Sequence, residues 1–186
     1  MDAFELQPVE LPTCQAFNEF LVDTGWKDFD GNRRKGWAGG TKFDVVWVPE
    51  YRWTSRRVDG GIELTTARVK PKFGARKRLS RLDWVGPSPR PAACQQAVDA
   101  WIAKLALHER DHGADIDRVF EQANRKPVLG PFTARAATLA EAKRALRNRI
   151  DAVLTELAGP MKAQIAADEQ KYHEEHTVPL VECGAC

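Results

Sequence analysis

No stretch of this chain comes near the roughly 18 uninterrupted apolar residues that a membrane-spanning helix needs, so no span through a bilayer is expected. Cysteine is scarce. Four among 186 residues is not the density of a disulfide scaffold, although an even count permits bridges. An excess of one charge is missing too. The 28 Lys and Arg nearly balance the 26 Asp and Glu, and with 43% hydrophobic residues this excludes a disordered or highly charged chain. Residues 1–13 lack a basic start followed by an apolar core and do not read as a secretion signal. As written, the sequence reads as cytoplasmic, unless it is exported by another route or a leader has been lost. Histidine is the scarcest informative residue. Its four copies fall in two tight pairs, His108 with His112 and His173 with His176.

What is present fits one domain over residues 1–186, long enough to bury a core. The charge is unevenly spread. Residues 52–90 carry eleven Lys and Arg against three acids, a local +8 that leaves −6 for the rest. A basic stretch is a possible nucleic-acid footprint, but no nucleic-acid motif frames it, and a solvated face is the commoner meaning. Cys183 and Cys186 form C-G-A-C near the C-terminus. No second C-x-x-C exists to complete a metal site, so a flexible or disulfide-closed tail without catalytic role is expected over 177–186.

The pattern along the chain is α+β. Phe17, Phe20 and Leu21 share a face and predict a short helix over 14–22, within an otherwise irregular region 1–41 whose second half is rich in glycine. Residues 42–53 are aromatic and β-branched, and D-G-G at 59–61 leads into alternating Ile62, Leu64 and Thr66. Together they predict a small antiparallel β-hairpin region over 42–70. Proline and basic charge make 71–92 read as a connection. A helical region follows over 93–176. Trp101, Leu105, His108, His112, Ile116 and Val119 recur at steps of three or four. Pro127, Gly130 and Pro131 break the chain. Thr138 with Glu141 is a capping box that opens a second helix with a stripe of Leu139, Leu146, Ile150, Val153 and Leu157. Gly159 and Pro160 separate it from a third, ending near His176.

Residues 108–112 read H-E-R-D-H. Positions four apart in a helix lie one above the other, so His108 and His112 can present their imidazoles to one ion, with zinc the expected cofactor. Glu109 can reach a water on that ion without being a ligand, and is the expected general base. The pair lies on the core-facing stripe of its helix, where decoration is a poor explanation. A catalytic zinc site has three protein ligands plus water. His176 and His173 are the candidates for the third, in that order, with Glu169 and Asp168 also chemically able. Tyr172 is a candidate donor to the oxyanion formed in hydrolysis.

H-E-x-x-H late in a helix, with Trp101 seven residues upstream, resembles the bacterial family catalogued as domain of unknown function 922, regarded as predicted secreted zinc-dependent proteases. The similarity spans roughly residues 42–178. The resemblance implies a zincin-like metallopeptidase, a peptide or protein substrate, and secretion or a periplasmic location. The family's closing Tyr-Asp-x-x-Thr-x-His-Gly is matched by Tyr172, His173, Glu174, Glu175, His176 and Thr177, with Val178 and Pro179 where the family has its last His-Gly. The H-E-x-x-H carries over residue by residue; the third ligand does not. The sequence also leaves room for a metal-dependent amidase acting on cell-wall material, for a zinc-stabilised binding module closed by all four histidines, and for a nucleic-acid binder using 52–90.

Overall fold

The computed structural model describes residues 4–176 and 180–186. Thr177, Val178 and Pro179, which enter the family comparison and open the expected tail, lie outside the described residues. The fold is mixed α/β, with a mostly antiparallel sheet and three helices. In chain order the elements are β1 (Phe4–Glu10), α1 (Cys14–Asp23), β2 (Trp26–Lys27), β3 (Arg33–Arg34), β4 (Gly39–Tyr51), β5 (Thr54–Val58), β6 (Gly61–Val85), α2 (Ala92–Asn124), β7 (Val128–Ala136) and α3 (Leu139–Glu175). A single 3-10 turn, Cys183–Ala185, closes the chain. The chain forms two compact units. The first holds residues 1–44, 77–115 and 169–186, and the second 45–76 and 116–168.

The first unit is built on aromatic packing. Thr13 caps α1 by accepting a hydrogen bond from the Ala16 amide at 3.1 Å, and the helix buries Cys14, Phe17 and Leu21. It ends at Gly25, whose φ of +69° only glycine adopts freely; a Cβ there would lie 1.9 Å from the Arg34 carbonyl oxygen. Phe17 stacks on Trp84 at 5.5 Å and meets Trp101 edge-on at 5.4 Å. The buried indoles keep their N–H groups satisfied: Trp84 donates to the Leu11 carbonyl at 3.0 Å and Trp26 to Ser80 Oγ at 3.2 Å. β1 runs parallel to the last seven residues of β6, with Phe4 opposite Leu79 and Glu10 opposite Val85.

Two disulfides tie the C-terminal tail to this core. Cys14 pairs with Cys183 and Cys94 with Cys186, with Cα–Cα distances of 5.5 and 4.4 Å. The tail is thus disulfide-closed. Its two cysteines, three positions apart, reach partners on different helices, so C-G-A-C is neither half a metal site nor a local bridge.

The second unit is plainer. β5 and β7 both pair antiparallel with the first part of β6. A bulge between Thr66 and Arg68 shifts the register. Leu64 and Thr66 are buried before it, and Val69, Pro71 and Phe73 after it, so the buried parity flips from even to odd. The D-G-G turn therefore joins β5 to β6; β4 is hydrogen-bonded to β6 in the same sheet but is not the other half of that hairpin.

Three further expectations are corrected. Residues 71–85 are strand, not connection. Lys70 and Lys72 point outward while Pro71 and Phe73 are buried, and farther on Ser80, Leu82 and Trp84 alternate with less buried neighbours. Lys77 apart, the basic residues of this stretch occupy the outward positions of a two-residue period. The break at 127–131 is β7, edge-paired, where Pro131 costs no ladder bond it was needed for. Finally, α3 runs unbroken through Pro160. Its buried row is Ala142, Leu146, Ile150, Leu154, Ala158, Met161 and Ile165, which stays in phase on both sides of the proline. Continuous burial outweighs the roughly 3 kcal/mol cost of an interior proline. Leu139 and Leu157, placed on the stripe by sequence, are instead 38% and 41% exposed. The capping box forms: the Thr138 amide donates to the Glu141 carboxylate at 3.1 Å, and the Glu141 amide to Thr138 Oγ1 at 3.3 Å.

Four of the basic residues of 52–90 meet acids. Arg56 meets Glu63, Lys72 meets Glu50, Arg78 makes a forked contact with Glu5, and Arg81 lies near Asp83. Among the described residues, no helix is long and apolar enough to cross a membrane.

Candidate metal centre

The site lies within the first unit. α2 is free of breakers apart from Gly113, so residues 108 and 112 fall one turn apart on its inward face. His108, Glu109 and His112 are 8%, 2% and 3% exposed, unusual burial for three polar residues in five. The Nε2 atoms of the two histidines are 3.2 Å apart. Two nitrogens bound to one tetrahedral ion at 2.0–2.1 Å would be separated by about 3.3 Å. The end of α3 adds His173, half-buried. One nitrogen from each of His108, His112 and His173 lies within 4.8 Å of the others, a group that could hold a metal ion.

Of the two candidates for the third position, the structure brings in His173. Its ring lies 5.2 Å from that of His108 and 4.7 Å from that of His112. Trp37 backs it at 3.8 Å, tilted by 30°. His176, ranked first from sequence, is exposed one turn on, stacked on Tyr172 at 4.2 Å, and is not part of the group. Asp168 is likewise outside it.

Burial governs the protonation of the centre. It pushes His112 down to about 3 and His173 to about 4, with neighbouring imidazoles adding to the effect, and lowers His108 in the same way. All three therefore stay neutral near pH 7, the form in which imidazole ligates metal. Burial acts oppositely on acids and drives Glu109 up to about 7. Thr41 counteracts this by donating its hydroxyl to Glu109 Oε2 at 2.8 Å. Glu169 is also raised to about 7, first by burial and then by the charge of Glu109.

Tyr172 packs its ring 4.9 Å from His108 and 4.6 Å from His112. Its hydroxyl donates to Asp111 at 3.3 Å, so the group expected to face an oxyanion is engaged beside the histidines. A cavity of about 50 Å³ borders Glu109, His112, Glu169 and His173, walled by Trp26 and Trp37. The segment that supplies those indoles and Thr41 is held by Asp28. Its carboxylate accepts from the amides of Asp30 and Asn32 and from Arg34 Nε, at 3.0, 2.8 and 2.9 Å.

Sequence reasoning missed Thr41, Trp26 and Trp37. Two tryptophans in a glycine-rich loop were the only hint, since large aromatics rarely sit in a solvated turn. Thr41 carried no signal. A scan against protein-family models finds no match, and searches of curated proteins and of solved structures find none either.

Proposed function

We propose that this protein is a zinc-dependent hydrolase acting on peptide bonds. The reading is carried by one observation: a fully buried glutamate next to three neutral imidazoles whose nitrogens converge, in the H-E-x-x-H spacing. The donor set fits zinc, which favours neutral imidazole in catalytic sites of three protein ligands. His108, His112 and His173 would hold the ion, which when bound acts as a Lewis acid and makes its water a nucleophile near neutral pH.

The chain's own residues supply the rest. Glu109, with its pKa near 7, is poised to accept the water's proton around neutrality. Thr41 fixes the orientation of its carboxylate. As the water oxygen joins the carbonyl carbon and the C–N bond breaks, the proton held on Glu109 passes to the departing amine. Tyr172 can turn its hydroxyl from Asp111 toward the carbonyl oxygen. That His176 is not in the histidine group favours an open centre over a module closed by four histidines. The substrate could instead be an amide in cell-wall material, a difference in the acyl partner and not in the machinery. The two disulfides favour an oxidising compartment, as the family resemblance implies.

The test is Glu109→Gln. Wild type and the variant should each bind one zinc per chain, and the variant should lose about 10²- to 10⁴-fold in kcat on a peptide library. Wild type that binds no zinc, or a variant with undiminished activity, rules the mechanism out.

A further inference from the structure

We propose that Glu169 receives the free α-ammonium group of a peptide's first residue, so that the centre removes residues from N-termini; this deepens the peptidase reading and rests on it. The argument begins with space. The cavity beside Glu109 measures about 50 Å³, room for roughly three or four water-sized groups. Gly40 and Trp26 both line it and meet each other. A Cβ on Gly40 would lie 2.6 Å from the indole, so backbone and ring already touch. An internal peptide would add the backbone of its preceding residue to this small space.

Bond lengths then decide what can occupy the cavity. The α-nitrogen of an amino acid lies about 2.5 Å from its own carbonyl carbon. When that carbon is at the histidine centre, its amino group must lie within the same small space. A lysine ammonium, several bonds farther out, would not fit together with the backbone that carries it.

Charge selects the amine. Glu169 lines this cavity and has no hydrogen bond or ion pair among the described residues, whereas Glu109 is held by Thr41 and Tyr172 by Asp111. Two carboxylates on one cavity repel each other, and a cation between them removes the repulsion. Trp26 and Trp37 add aromatic walls, which favour an ammonium over a neutral amide N–H.

Two probes test this by calorimetry on the zinc-loaded protein: alanine hydroxamate, with a free amine, and N-acetylalanine hydroxamate, without one. Wild type should bind the free amine roughly tenfold or more tightly, about 1.4 kcal/mol. Glu169→Gln should erase that preference with zinc content unchanged. Equal binding of the two probes by wild type, or a preference that survives in Glu169→Gln, overturns the amine proposal and leaves the hydrolase reading standing. Failure of the zinc-loaded protein to bind either hydroxamate overturns both.

Discussion

The two compact units bury different things. Among the described residues, every buried ionisable group (His108, Glu109 and His112) belongs to the first unit, along with both disulfides and the stacked indoles. The second buries, among the described residues, a single polar side chain, Thr66, and an aliphatic row on α3. Buried carboxylates and imidazoles cost stability unless something compensates. The first unit carries its compensation as covalent links, capped α1 and satisfied indole N–H groups. The second buries no ionisable side chain among the described residues, so it has no such cost to offset. Stability and reactivity are thus apportioned within one chain of 186 residues.

Removing the links should test this most severely. Cys14→Ser or Cys94→Ser should each cost about 2–5 kcal/mol. Hydrogen exchange should show the loss in amides of α1 and of residues 92–112, with those of 139–165 spared. Uniform loss across both units would erase the contrast. The complementary change is Leu154→Ala in the second unit, expected to cost about 2–5 kcal/mol by opening a cavity. Zinc affinity, measured by competition with a chelator, should not move; a large drop would show that the plain unit supports the centre after all.

The next effect is smaller and depends on pH. Burial raises Glu109 from 4.5 to about 7. Its contribution is therefore neutral to folding below about 4.5, and an increasing penalty accrues as pH rises to 7. Glu109→Gln should stabilise the zinc-stripped protein at pH 8 by an amount on the order of 2–3 kcal/mol, and not at pH 4. The histidines have the opposite sign. With His112 near 3 and His173 near 4 in the fold against an ordinary 6.5, the unfolded chain takes up protons first. Their share of stability is complete above 6.5 and declines as the solution is acidified. Thermal melts of the stripped protein across pH 3–9 check both signs.

The smallest expected change is Thr41→Val. Losing one hydroxyl donor should raise the pKa of Glu109 further, cost about 1 kcal/mol, and shift the acidic limb of kcat/KM toward higher pH. An unchanged limb would make Thr41 a packing residue only.

How much of this was legible beforehand depended on range. α2 was readable to within a residue or two because its apolar period and its lack of breakers agree. H-E-x-x-H is a local motif, and the structure keeps its members together. The capping box at Thr138 is local too. What failed was long-range or ambiguous. The second half of β6 hid because lysines and arginines fill its outward positions, giving a strand the composition of a loop. β7 hid behind Gly130 and Pro131. The choice between His173 and His176 turned on where α3 ends relative to α2, which no periodicity within α3 reveals. Thr41 meets Glu109 across 68 residues of sequence, beyond any pattern a single chain displays.

The bond between Cys14 and Cys183 has one more consequence. It encloses nearly the whole chain in a covalent ring, with a sequence separation of 169. A backbone cut anywhere inside that ring leaves one molecule, not two. Were this protein to nick itself or be nicked, its mass would change by a single water, and the fragments would separate only after reduction.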